Sequence, residues 1–342
     1  MKQILLVLTG GTIGSTVSDG IININNVSQF KLIKLLKQHY AKYQEFEFHL
    51  IQPVELLSEN LVPNVWETIV NTITAQKLSQ YDGIIITHGT DTLSYTASAL
   101  SFSMLHVHLP ILLVSSDYPL DDTKANGLRN FICALEFIRQ IKEAGVFVPY
   151  QNQQQKMHVH WGTHLATCLP LSSDFISIQF KSYMQFENNE FSKLNHRSIP
   201  NKQIIDWSIK TQFSRRVLMV RPYPGLNYQH FDLSQVDAVL HDLYHSGTAS
   251  VSTQWGDHYS LTTFIKRCNT LNIKTFLAPS IKSANAYQST QVLIQQGAHI
   301  IWNMSIEAAY TKLLLAYGNF ADEQTIVDFV DTNLAGETIE IH

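Results

Sequence analysis

Charge is scarce in this chain. Lys, Arg, Asp and Glu make up 15% of its 342 residues, with 24 basic side chains against 28 acidic ones and a formal net charge of -4. No block of like charge occurs, so the concentrated basic face that phosphate contacts need is missing, and nucleic acid is not expected as a partner. Cysteine is scarcer still. Cys133, Cys168 and Cys268 are far apart, odd in number and set in apolar neighbourhoods, which reads as buried thiols in a reducing compartment rather than disulfides or metal ligands. No apolar run reaches membrane-spanning length. The initial run, Ile4 to Leu8 after one lysine, is too short for a signal sequence and has no small-residue cleavage pattern behind it. A cytoplasmic protein with no membrane partner is therefore expected. Also missing are HExxH, a CxxC pair, and the GKS or GKT of a phosphate loop. What remains is 45% hydrophobic, enough for a full core, in a length that favours two domains over one.

Two stretches organise the rest. ILLVLTGGTIGST, residues 4 to 16, begins with a continuous apolar run that has neither helical period nor polar alternation, so it reads as a strand buried on both faces. It ends at Thr9, Gly10, Gly11 and Thr12, where two glycines permit a tight turn with exposed amides. IIITHGTDT, residues 84 to 92, repeats the plan and leads into a long stretch without Pro or Gly that suits a helix. Parallel strands place their carboxyl ends on one edge of a sheet, so both turns can face one pocket. Strand and helix patterns alternate from the first turn to about residue 148, with a polar loop over 18–26, helices over 30–40 and from Pro63, and a polar turn at Ser58, Glu59 and Asn60. This predicts a doubly wound, mostly parallel sheet. Short alternating pieces over 151–190 fit an attached antiparallel hairpin. The N-terminal domain is expected over 1–190, a linker over 191–215, and a smaller C-terminal α/β domain over 216–342.

The chemistry on offer is hydroxyl and carboxylate. Thr12 or Thr90 can act as a nucleophile if a base activates it, with turn amides available to stabilise an oxyanion, and Asp91 can bind a substrate ammonium. The same residue types also serve ordinary turns and helix caps. The 15 histidines invite a metal reading, and His158 and His160 would share a strand face, but no tetrahedral ligand set accompanies them and no metal is expected.

Together, TGGTIG at 9–14 and HGTDT at 88–92 resemble the bacterial-type L-asparaginase/glutaminase family, nearer its cytoplasmic type I branch. The likeness continues through Ser58, Glu59 and Asn60, Pro63 and Trp66, Asn126 and Gly127, YPG at 223–225 and SIEAAYTK at 305–312. The resemblance implies hydrolysis of L-asparagine to L-aspartate and ammonia in a homodimer or homotetramer without a cofactor. It makes Thr12 and Thr90 the catalytic threonines, Asp91 the residue that holds the α-amino group, and Ser58 the grip on the α-carboxylate. Gly89 belongs to the same substrate loop, and Glu59, next to Ser58, is expected to bind substrate with it. Three departures stand out. WGTHLAT puts Thr167 where the family's catalytic lysine is expected, no tyrosine occurs from Ile13 to Gln29, and GTAS has Ser250 in place of an asparagine. Lys156 or His164 is then the replacement base, the latter with an ordinary pKa near 6.5. Two other readings remain. One is a noncatalytic amino-acid-binding sensor that has lost the lysine, and the other is an amidase or esterase for a different small substrate.

Overall fold

In the computed structural model, residues 1–11, 13, 15–18, 21–24, 27–196, 207–282 and 287–340 are described, with the side chains of 15–18, 21–24 and 27–30 left aside. By its internal contacts the chain divides into a unit over Met1–Ile199 and a unit over Pro200–His342.

The first unit is built on an eight-stranded sheet. Its strands are β1 (Lys2–Val7), β4 (Phe46–Ile51), β5 (Gly83–Thr87), β6 (Pro110–Val114), β7 (Gly145–Gln151), β8 (Met157–Trp161), β9 (Met184–Glu187) and β10 (Glu190–Lys193). They lie in the order β10-β9-β8-β7-β6-β5-β1-β4. The run from β4 to β7 is parallel, and β8, β9 and β10 join it antiparallel. The doubly wound sheet and its attached hairpin are thus as expected. Both faces are covered, which is why the apolar runs do not alternate with polar residues. Ile4, Leu6 and Ile85 enter the core beneath α1 (Val27–His39) and α4 (Gly127–Gln140). Leu5, Val7, Ile84 and Ile86 enter the opposite core, beneath α2 (Pro63–Thr74) and α3 (Leu93–Ser103). Pro63 opens α2 at its first turn, where a missing amide costs nothing. The segment expected as a polar loop over 18–26 instead includes a two-stranded antiparallel ribbon, β2 (Ser15–Ser18) with β3 (Ile21–Ile24). Its Val17 and the two isoleucines that open IINI supply the β-branched residues that a polar count passes over.

The topology directs attention to one place. From β1 the chain passes to β4 on one side, then returns to β5 on the other, so strand order reverses between β1 and β5. The crevice outside the carboxyl ends of the strands at such a reversal is where open α/β sheets take ligands.

The second unit has a four-stranded parallel sheet, β11 (Val217–Val220), β12 (Ala238–Asp242), β13 (Lys274–Ser280) and β14 (His299–Trp302), in sequence order. Helices α5 (Leu261–Thr270), α6 (Gln288–Gln295), α7 (Ile306–Asn319) and α8 (Glu323–Asp331) accompany it, α8 being one that the sequence pattern did not mark. Cys133 and Cys268 are buried free thiols, whereas Cys168 is half-buried, a departure from the expected burial of all three.

Candidate functional site

The turns after β1 and β5 close on each other at the reversal point. Thr9, buried at the end of β1, donates through Oγ1 to the Thr87 carbonyl at 2.6 Å, and its N–H donates to Thr87 Oγ1 at 3.3 Å. The next residues cross at backbone distance. Gly11 has φ +79°, and a Cβ there would lie 2.4 Å from Gly89 N and 2.6 Å from Gly89 Cα. A Cβ on Gly89 would in turn fall 2.4 Å from Ser58 Oγ. Only two residues without side chains let these turns and the Ser58 loop meet.

Ser58 reaches this point because the Gly11 N–H donates to the Leu56 carbonyl at 3.3 Å and the Leu56 N–H to the Thr9 carbonyl at 3.1 Å. The chain then makes a 3-10 turn over Ser58–Asn60. The Ser58 hydroxyl donates to Asp91 Oδ2 at 3.1 Å and accepts the Asp91 N–H at 3.2 Å, while Thr92 Oγ1 donates to the Ser58 carbonyl at 2.9 Å. Ser58 is buried and Asp91 exposed, so the carboxylate is held from behind and open in front. Of the residues singled out in the sequence, Ser58, Gly89 and Asp91 are brought together here. Thr90 sits between the last two, half-buried, and Glu59 points to solvent on the 3-10 turn. Thr12 lies outside the described residues, between the placed Gly11 and Ile13.

The stretch Gly162 to Thr167 runs beside α3. Gly162 permits this, since a Cβ there would lie 2.7 Å from Ser101 Oγ and 3.1 Å from the Ala97 carbonyl. Ser98 Oγ reaches the Gly162 carbonyl at 3.5 Å, and Thr167 Oγ1 lies 3.5 Å from Ser94 Oγ on the first turn of α3. Thr167 therefore reaches the start of α3, the helix that follows Thr90 and Asp91 in the chain. Next to it, burial raises the Cys168 thiol to about 11, with the charges of Asp91 and Asp174 adding to the effect. His164 is half-buried in the turn that leads to Thr167. Lys156 is elsewhere on the hairpin. Its Nζ pairs with Glu187 at 2.9 Å, and it lines a cavity of about 520 Å³ with Arg129, Met157 and Phe186 that includes none of Ser58, Gly89 or Asp91.

A buried polar chain lies under the Gly89 turn and was not singled out from the sequence. His88 is 2% exposed, with Nδ1 2.7 Å from the Gly89 carbonyl and Nε2 2.9 Å from Thr96 Oγ1. Trp66 Nε1 donates to the same Thr96 hydroxyl at 3.0 Å. Burial lowers the His88 imidazole to about 4, against the opposing pull of the Gly89 carbonyl and the Asp91 charge. The available signal was a histidine ending a fully buried strand and a tryptophan on an apolar helix face, each of which must find a partner. His158 and His160 are also hydrogen-bonded structurally, to Ser182 and Ser177 at 2.8 and 2.9 Å. Among the described residues, no group of three or more metal-ligating side chains converges and no helix is long and apolar enough to cross a membrane.

Comparison with known proteins agrees with this geometry. Residues 3–196 match the family described as "Asparaginase, N-terminal". A glutamyl-tRNA(Gln) amidotransferase chain of Methanosphaera stadtmanae is 27% identical over 98% of this chain and 76% of its own length. L-asparaginase of Thermococcus kodakarensis is 24% identical over 98% of both. Among solved structures, the thermostable L-asparaginase of Thermococcus kodakarensis superposes with a TM-score of 0.79 at 22% identity, over 99% of this chain and 100% of that one. L-asparaginase I of Vibrio cholerae superposes at 0.74, with 22% identity and 99% of each chain covered. With its family match spanning more than half the chain and both glycine turns meeting at the sheet's reversal point, this protein belongs to the asparaginase family of hydrolases.

Proposed function

We propose that this chain is an amidohydrolase that converts L-asparagine, or a closely related small amide, to the acid and ammonia. The observation that carries this reading is the meeting of Gly11, Gly89, Ser58 and Asp91 at one point, with Thr90 among them. The open carboxylate of Asp91 takes the substrate's α-ammonium, and the Ser58 loop faces its α-carboxylate. A threonine hydroxyl, Thr12 in the first step, adds to the side-chain amide carbon while turn N–H groups hold the oxyanion. The C–N bond then breaks, nitrogen leaves as ammonia with the proton taken from the hydroxyl, and water hydrolyses the resulting ester. Thr90 is the second catalytic hydroxyl. For its proton acceptor the placement favours His164, in the turn leading to Thr167, over Lys156, whose ammonium is engaged by Glu187. No cofactor enters the scheme, and a homodimer or homotetramer is the expected assembly.

One observation supports a second reading. Thr167, beside Ser94, puts a hydroxyl where the family resemblance expects a lysine, and a site lacking any base would bind an amino acid without turning it over. Ammonia release from L-asparagine, followed beside calorimetric binding of L-aspartate, separates the two. Release that disappears in Thr12→Val and Thr90→Val supports catalysis. Binding of L-aspartate with ammonia at background supports the sensor.

A further inference from the structure

The bonds around His88 leave one consistent proton assignment. The indole N–H of Trp66 can only donate, so Thr96 Oγ1 accepts it. Gly89 O can only accept, and at 2.7 Å from His88 Nδ1 an unprotonated nitrogen would face it lone pair to lone pair. Nδ1 therefore carries the hydrogen, and in the neutral ring Nε2 accepts from the Thr96 hydroxyl at 2.9 Å. Trp66, Thr96 and His88 are 2%, 0% and 2% exposed, so water does not compete for these groups. The peptide bond joining Gly89 to Thr90 is planar, and in the trans form its C=O and N–H point in opposite directions. A Gly89 carbonyl tied to the buried ring therefore sends the Thr90 N–H in the opposite direction within that plane, away from the ring.

We propose that His88 is a positioning residue. Held as the Nδ1–H tautomer by Thr96 and Trp66, its ring locks the Gly89 carbonyl inward and thereby aims the Thr90 N–H at the bound ligand's carbonyl or carboxylate oxygen. The inference rests on the reading of this turn as the substrate site, but the relay can be measured without it. Asp91, at the front of the same turn, acts on His88 through its charge, which favours the protonated ring.

The test uses the full chain. Nitrogen-15 spectra of labelled histidine report the tautomer of His88, and the Thr90 amide signal reports the peptide's orientation. Calorimetry with L-aspartate reports affinity. The Nδ1–H tautomer is expected in the unsubstituted protein. Thr96→Val, which keeps the side chain's shape but removes both bonds, should mix the tautomers and displace the Thr90 amide signal. His88→Leu should weaken L-aspartate binding about tenfold, the scale of one well-placed hydrogen bond. His88→Asn, which can keep an N–H directed at the Gly89 carbonyl, should return affinity to within about threefold. A merely structural role would not give rescue by asparagine alone. An Nε2–H tautomer, equal losses in the Leu and Asn variants, or affinity unchanged in both would overturn the proposal. If the unsubstituted protein neither binds L-aspartate nor releases ammonia, the substrate reading fails. The Thr90 amide signal then decides the relay, supporting it if Thr96→Val moves the signal and overturning it if not.

Discussion

At the scale of single residues the site depends on atoms that are not there. Gly11→Ala would put a methyl group 2.4 Å from Gly89 N at a φ of +79°, against backbone that cannot swing aside. The left-handed conformation and the overlap together should cost about 2 to 5 kcal/mol in urea denaturation and abolish L-aspartate binding. Ser58→Ala makes the opposite kind of change. It creates almost no cavity but removes the hydroxyl that both donates to Asp91 and accepts from it. Binding of L-aspartate should weaken about tenfold in calorimetry while the melting temperature moves little. The glycines and Asp91 were legible beforehand, since a buried strand that stops at Gly and Thr can only be turning, whereas Ser58 entered the site only through the family resemblance. The role of His88 was not. Thr96 meets its ring from α3 and is itself met by Trp66 from α2, and no local spacing records that meeting.

At the scale of elements, α4 is fastened to the segment after α1 by one buried carboxylate. Glu136, 0% exposed, accepts from Tyr40 at 2.6 Å, Lys42 at 3.0 Å, Gln140 at 2.6 Å and Arg139 at 2.6 and 2.8 Å. Burial alone would raise this carboxyl, but the hydrogen bonds of Tyr40, Gln140, Arg139 and Lys42 outweigh it and hold it at about 2, below the usual 4.5. A folded-state value below the unfolded one means stability that is complete above about 4.5 and lost as pH falls towards 2. Glu136→Gln should therefore cost on the order of 3 kcal/mol in urea denaturation near neutral pH. The gap between the two proteins should hold down to about pH 5 and close below it; a gap that stays constant through pH 3 would refute this origin. Apolar spacing was enough to mark α4, and the ending of β7 at a polar turn to mark the hairpin. The β2/β3 ribbon escaped because short strands among Ser and Asn look like loop until their pairing is seen.

At the scale of the whole molecule, each unit carries its own core, and the second is closed by a buried ion pair. Lys312 and Glu337, both 0% exposed, meet at 2.5 Å, and the same ammonium donates to the carbonyls of Val330 and Thr332. Burial lowers the Lys312 pKa, with the Glu337 charge and hydrogen bond working against it. Lys312→Met would strand the Glu337 carboxylate and free the chain after α8, a loss of about 3 to 5 kcal/mol. Amide exchange should quicken across the strands β11 to β14 in that variant while β5 and β6 keep their protection. Sedimentation should find a dimer or tetramer, and a stable monomer at micromolar concentration would remove that expectation. The sequence by itself determined that two Gly/Thr turns end buried strands and that the architecture alternates strand with helix, because backbone freedom and burial are local properties written in residue type. Only the tertiary structure decided that the turns touch, that Thr167 comes to the first turn of α3, that Lys156 is spent on Glu187, and that His88 has Thr96 and Trp66 behind it. Each of these depends on which elements the sheet order sets side by side. Strand order is fixed by packing of the covered faces and the sense of each crossover, and contacts between residues distant along the chain follow from it.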